Sequence, residues 1–215
     1  MVQVQRPLAV VTATLDGDVL AILALAEVAF TTGQLQRMLP KGSTPGIRHA
    51  LQRLVEQGIV EAEQVGRAWQ YRLNREHLAA GPVIALANLR RTLLQQMEDE
   101  LQGWNPRPVY AALFGSAARG DMRPDSDIDI FLVRPTGSQL EVWERASSAF
   151  ADRVTRWTGN DARVLEMTQA EVQERAGHEP VLDFIAQEGK TLCGSGAWLR
   201  KVLAGAKVPR ECPDG

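Results

Sequence analysis

The segment from Leu113 to Val133, LFGSAARGDMRPDSDIDIFLV, constrains this chain more than any other. It sets a Gly-Ser turn beside an acid-x-acid pair. Runs that read as buried strands flank both: Val109, Tyr110, Ala111, Ala112, Leu113 and Phe114 before the turn, then Ile128, Ile130, Phe131, Leu132 and Val133. Gly115 lets the backbone turn sharply, and Ser116 brings a hydroxyl beside N–H groups freed at a strand end. Such a turn can hold phosphate oxygens if Ala117 to Gly120 opens a short helix, and Arg119 can add a charge-assisted bond. Asp127 and Asp129 are two apart, so on a strand their carboxylates share one face while Ile128 and Ile130 point to the core. Adjacent carboxylates repel and raise each other's pKa unless a cation joins them. Magnesium, held by one or two carboxylates plus substrate phosphates, is the natural cation. Each half is weak alone, because an acid-x-acid pair can also simply end a solvated turn, as the neighbouring Asp121, Asp125 and Ser126 suggest.

The rest of the chain sets bounds. Its 215 residues, 45% hydrophobic and 23% charged, suit one large or two modest globular domains. A net charge of −2 excludes a protein that coats nucleic acid through bulk positive charge, yet leaves room for a local basic face. No apolar run is long enough to span a bilayer, and the start, MVQVQRPLAV, lacks the pattern of a secretory signal. Cys193 and Cys212 lack metal-ligand spacing and read as reduced thiols, so the expectation is a cytoplasmic protein with no membrane partner and no structural zinc.

The break at Ala79, Ala80, Gly81 and Pro82 sets the expected division: residues 1–80, a connecting helix at 81–106, and a second domain at 107–215. Before the break, periodicity predicts a first helix over Val19 to Phe30. Thr32 is expected to cap a second helix that Pro40 and Gly42 end, and a third helix has Thr44 as N-cap and Pro45 at its first position. Ile47, Ala50, Leu51, Leu54 and Val55 form the third helix's buried stripe, leaving Arg48, His49, Gln52 and Arg53 outside. Two strands, Ile59 to Val65 and Ala68 to Leu73, turn about Gly66 and Arg67, with Val60, Ala62, Trp69, Tyr71 and Leu73 as packing positions.

Three helices plus a hairpin, with a basic polar face on the third helix, resemble the winged helix-turn-helix family over Asp16 to Leu73. The resemblance implies double-stranded DNA as a partner. Thr44, Arg48, His49, Gln52 and Arg53 would lie on the groove-facing helix, and Arg67 at the wing. It also implies a homodimer, since such proteins commonly pair to match symmetric sites.

One long helix is then expected from Val83 to about Leu101, with Leu86, Leu89, Leu93, Met97 and Leu101 on its apolar stripe. After the acid strand come a helix from Leu140 to Trp157 and a strand from Asp161 to Met167. Period two puts Asp161 and Arg163 on one face, and Ala162, Val164 and Glu166 on the other. Thr168 with Glu171 marks a capping box. Val181, Phe184 and Ile185 form a later helical stripe, Gly189 stops it, and Lys190 to Cys193 read as a brief extended segment before a last short helix.

Gly115, Ser116, Asp127, Ile128 and Asp129, in that order with a spacer between turn and acids, resemble the signature of the DNA polymerase beta type nucleotidyltransferase superfamily. The closer likeness is to its minimal bacterial members, over about Val109 to Gly194. With the N-terminal part, the expected class is α+β: a winged helix-turn-helix followed by an α/β domain whose small mixed sheet packs on helices. The resemblance implies that Gly115, Ser116, Arg119 and Ser126 hold a nucleoside triphosphate. It further implies that Asp127, Asp129 and a third acid hold two magnesium ions, the third acid also drawing a proton from an attacking hydroxyl. Asp161 is the first choice for that acid and Glu166 the fallback, although Ala162 and Arg163 stand where the family places two strongly apolar residues. Three functions stay open: a magnesium-dependent nucleotidyltransferase acting on an unidentified hydroxyl, a transcriptional regulator that only senses nucleotide, and an antitoxin-type enzyme that modifies a partner protein.

Overall fold

The computed structural model describes residues 1–39 and 41–206. Pro40, expected to end the second helix, Cys212 and the chain from Lys207 onward lie outside the described residues. The protein divides into two compact units, Val2–Thr92 and a second that holds Met1 and the chain from Leu93 on.

The first unit opens with a single 3-10 turn, Pro7–Val10, and then runs α1 (Leu15–Leu25), β1 (Phe30–Thr31), α2 (Thr32–Met38), α3 (Thr44–Glu56), β2 (Val60–Val65), β3 (Ala68–Leu73) and α4 (Ala80–Ala87). The strands form an antiparallel sheet in the order β1-β3-β2. Val19, Leu23, Leu35, Ile47 and Leu51, from the three helices α1 to α3, are fully buried in the core of the unit.

Several local expectations shift. Helix α1 starts four residues before Val19, with Asp16 and Asp18 in its first turn where the helix dipole favours anions. It ends at Leu25, so Phe30 lies not on the helix but in β1, opposite Tyr71. The caps move by one residue: Thr31 caps α2 in a capping box with Gln34, and Ser43 caps α3 by accepting from the Gly46 N–H at 3.2 Å. Gly66, at φ +62°, and Arg67 form the two-residue hairpin turn as expected. Trp69, expected to pack, is 52% exposed.

The single helix expected over 83–101 is two. Asn88 interrupts it, its side-chain amide donating to the Ile84 carbonyl at 2.8 Å, and α5 (Leu89–Gln102) follows. Ala80 and Ala87 belong to the core of the first unit, whereas Leu93, Met97 and Leu101 are buried in the second.

The second unit continues with β4 (Tyr110–Phe114), α6 (Gly115–Arg119), β5 (Ile128–Arg134), α7 (Leu140–Thr158), β6 (Ala162–Thr168), α8 (Gln169–Arg175), α9 (Pro180–Glu188), β7 (Lys190–Gly194) and α10 (Gly196–Ala206). Its four-stranded sheet has the order β6-β5-β4-β7. It is mixed, since β5 and β6 are parallel while β4 is antiparallel to β5 and β7. The central strands β4 and β5 are apolar on both faces, as strands covered on both sides must be. Ala112, Phe131, Val133 and Met167 pack on one face with Val172, Leu182, Ile185 and Leu199 of α8, α9 and α10. The opposite face meets α7. Phe184, expected on the packed stripe of α9, is 58% exposed while Leu182 takes its place in the core. Among the described residues no helix is long and apolar enough to cross a membrane.

Candidate functional site

The site grows from the register of three strands. Phe114, the last residue of β4, pairs with Asp129 of β5, and Asp129 pairs with Arg163 of β6. Ile128 pairs with Ala162, and the Ile128 N–H donates to the Asp161 carbonyl at 2.8 Å. Side chains opposite one another on neighbouring strands share a face. Asp127, Asp129, Asp161 and Arg163 therefore gather on one face, at the end of the sheet where β4 turns into α6.

The turn is shaped for this. Gly115 has φ +68°, a region where a side chain is strained, and a Cβ there would stand 2.3 Å from Asp129 Oδ2. The Asp129 carboxylate thus rests against the bare α-carbon of Gly115. Gly is required twice over, once by the backbone and once by the acid. The Ser116 carbonyl accepts from the N–H groups of Gly120 and Asp121, which closes the short helix behind the turn.

Burial first, and then the neighbouring Asp127, push the Asp129 carboxyl above the usual carboxylate range, while Arg163 and Arg119 act in the opposite sense. A half-buried anion beside a second anion is the kind of site a cation stabilises. Asp127 is met by Arg163, whose Nη1 lies 2.8 Å from its Oδ2. Arg163 Nε lies 3.4 Å from Asp161 Oδ2, in a pair that is two-thirds exposed.

The two candidates for the third acid separate. Asp161 stands on the face of Asp127 and Asp129. Glu166 stands on the other face, where its carboxylate accepts from Trp143 Nε1 at 3.0 Å and from the Ser147 hydroxyl, both on α7. It is part of the packing under the sheet.

The remaining expected nucleotide residues are placed as follows. Arg119 pairs with Asp121 at 3.1 Å and Glu188 at 3.3 Å, so phosphate would have to draw it from these partners. The Ser126 hydroxyl accepts from the Arg123 N–H at 2.8 Å, which gives it a turn-forming bond. Asn160 was not foreseen. It is fully buried, and its amide donates to the Ser126 carbonyl at 2.8 Å, tying the loop ahead of Asp127 to the residue ahead of Asp161. An asparagine set between a helix-stopping glycine and a strand was its only local signal. The contact of Arg163 with the acids was likewise missed, although its shared face with Asp161 was readable.

In the first unit, Arg48, His49 and Arg67 are exposed. Arg53 donates two hydrogen bonds to the Asp16 carboxylate of α1, from Nε at 3.1 Å and from Nη2 at 2.8 Å, and Gln52 donates to Glu56 at 2.9 Å. The Thr44 hydroxyl bonds to Gln36 Oε1. His178 and Cys193 lie apart from the acids: the first follows α8 in a loop, and the second is a free thiol on β7 whose pKa burial raises.

Among the described residues no group of three His, Cys, Asp or Glu side chains is close enough to hold a metal. Asp127 and Asp129 nevertheless suit magnesium, which takes one or two carboxylates and completes its shell with water and phosphate. Their donor set is all oxygen, and Asp129 carries the charge that burial leaves in want of a cation.

Comparison with known proteins bears on this face of the sheet. No curated protein matches the chain closely enough to count as a relative. Similar solved structures include the toxin-antitoxin MntA-HepT, 16% identical over 54% of this chain and 81% of that one, with a TM-score of 0.36. A toxin-antitoxin with AMP-PNP is 19% identical over 55% and 81%, TM-score 0.36. A tri-AMPylated HEPN toxin in complex with MNT antitoxin from Shewanella oneidensis is 16% identical over 54% and 82%, TM-score 0.37. The family model of the nucleotidyltransferase domain matches residues 91–187, a segment that contains Gly115, Ser116, Asp127, Asp129 and Asp161. Residues 91–187 thus match a nucleotidyltransferase domain.

Proposed function

We propose that the protein is a magnesium-dependent nucleotidyltransferase that moves a nucleoside monophosphate from a triphosphate to a hydroxyl acceptor. The observation that carries the reading is the pairing of Phe114 with Asp129 and of Asp129 with Arg163, which sets the Gly115 turn, both acids and Asp161 on one face. Bound magnesium would supply charge neutralisation at the phosphates and at the leaving pyrophosphate, with Asp127 and Asp129 as its protein ligands. Gly115 lets the chain approach the triphosphate closely, and Ser116 offers a hydroxyl there. Arg119 exchanges its exposed partners for phosphate oxygens. Asp161, exposed and on the same face, accepts the proton of the attacking hydroxyl at a carboxylate oxygen. With Asp161 and Arg163 each about two-thirds exposed, the site is open, which fits a large acceptor such as a protein side chain. That openness favours the antitoxin-type reading, in which a partner protein is modified, over a small-molecule acceptor.

For the first unit we propose a winged helix-turn-helix that binds double-stranded DNA. The helix, strand and hairpin order and the three-stranded sheet support it, and Arg48, His49 and Arg67 are its exposed contacts. Thr44, Gln52 and Arg53 would first have to leave Gln36, Glu56 and Asp16. A homodimer is part of the same proposal.

The test is pyrophosphate release with magnesium and each of the common nucleoside triphosphates, in the presence of a cell extract as acceptor source. Wild type should release pyrophosphate, and Asp127→Asn should lose at least about a hundredfold, the loss typical when a stabilising group for developing charge is removed. No release by wild type with any nucleotide would leave the nucleotide-sensing reading in its place.

A further inference from the structure

The acid face holds one group that the proposed reaction does not use. The Arg163 guanidinium lies between two carboxylates, 2.8 Å from Asp127 Oδ2 and 3.4 Å from Asp161 Oδ2. Its strand position also makes it the register partner of Asp129, and it favours the ionised form of that acid. A single arginine is therefore set against all three acids of the site.

We propose that Arg163 is an internal counter-ion that occupies the cation position in the nucleotide-free protein and is exchanged for a divalent ion as the triphosphate loads; this rests on the metal-dependent reading above. A divalent ion on the Asp127 carboxylate would sit close to the guanidinium charge, and the two cations repel, so binding one weakens the hold of the other. The arginine is the one able to move. Its side chain is 65% exposed and that of Asp161 67%, whereas that of Asp127 is 28% exposed. Ion pairs this open to water are weak and break at small cost. Released from Asp127, the planar fork of the guanidinium is suited to phosphate oxygens of the incoming triphosphate. Arg163 is thus a positioning residue that holds Asp127 and Asp161 until the metal arrives.

The experiment measures Mn2+ affinity by electron paramagnetic resonance on the full chain, alone and with a non-hydrolysable ATP analogue, for wild type, Arg163→Gln and Arg163→Lys. Because the side chain is exposed, both variants keep the fold, which circular dichroism checks. Without nucleotide, Arg163→Gln should bind Mn2+ roughly three- to tenfold more tightly than wild type, the gain expected from freeing two exposed ion pairs. Arg163→Lys should fall between them, since an ammonium keeps the charge but cannot span both carboxylates. Equal Mn2+ affinity in wild type and Arg163→Gln would overturn the exchange and leave the metal-dependent reading standing. An Arg163→Lys affinity as tight as that of Arg163→Gln would also overturn it, since the retained positive charge would then have no effect on the metal. Failure of every form to bind Mn2+, with or without the analogue, would overturn both.

Discussion

In the C-terminal sheet the two central strands are apolar on both faces and carry charge only near their ends, while in the N-terminal sheet charge runs along the hairpin. Asp129 lies at the point where β5 leaves the core, half covered, and its pKa is raised by that cover. Glu61 and Arg72 of the hairpin pair at 2.6 Å with both side chains open to water. The contrast teaches where charge is informative. A partly desolvated acid opposes folding unless something answers it, so its presence needs a reason. A solvated pair costs little and adds little.

The comparison can be broken first in the core of each sheet. Phe131 is fully buried and meets Tyr110 edge to face, with ring centroids 6.2 Å apart. Phe131→Ala should cost about 3–5 kcal/mol, read from urea denaturation. Trp69→Ala, at an exposed site of the hairpin, should stay within about 0.5 kcal/mol despite removing the larger ring. Equal costs would mean that the hairpin is as tightly covered as the sheet.

The two turn glycines sharpen the contrast at a smaller scale. Gly115 and Gly66 have φ +68° and +62°, so either glycine changed to alanine should lose about 1–2 kcal/mol to left-handed backbone. Beyond that they part. A Cβ at Gly66 meets nothing within 4 Å, whereas one at Gly115 drives into Asp129. Gly115→Ala should therefore abolish pyrophosphate release, and Gly66→Ala should leave it intact.

Particular residues show how far the sequence could carry this. Strands β4 and β5 were readable because their apolar runs are continuous, and the shared face of Asp161 and Arg163 was readable from period two. The bonds of Glu166 to Trp143 and Ser147 of α7 were not, since only tertiary packing brings those residues together. The caps at Thr31 and Ser43 each sit beside a second hydroxyl residue, Thr32 and Thr44, of equal local chemistry. Phe30 fits a helical stripe as well as a strand, and its pairing with Tyr71 is remote in sequence. The apolar pattern likewise runs through Asn88 without a gap, so the break there was hidden.

Because burial and Asp127 raise the Asp129 pKa, the folded protein binds this proton more tightly than the unfolded chain. The fold is favoured while the acid is protonated, and that advantage is lost as pH rises through the unfolded value of about 3.9 and the higher folded one. Asp129→Asn should thus match wild type in acid and melt at a higher temperature than wild type at neutral pH, in chelator. Added magnesium and nucleotide should raise the melting temperature of wild type and not of the variant. A variant that melts lower than wild type at neutral pH would show that Asp129 is held by partners rather than opposed by burial.

The smallest effect is expected where charge is most exposed. Arg48 projects from α3 into solvent, so Arg48→Ala should leave thermal stability unchanged. If the first unit binds DNA, one phosphate contact should go with it, lowering the slope of log affinity against log salt by about 1, whatever the sequence of the duplex. Arg53→Ala is the informative partner, because Arg53 already answers Asp16, whose carboxyl it holds below the usual range. Losing Arg53 should leave Asp16 without that partner and lower stability at neutral pH, where Asp16 is ionised, while changing the salt slope less than Arg48→Ala does. Should both variants change the slope equally, Arg53 leaves Asp16 to meet DNA; should wild type show no salt-sensitive binding, the arginines of α3 are solvated surface and nothing more.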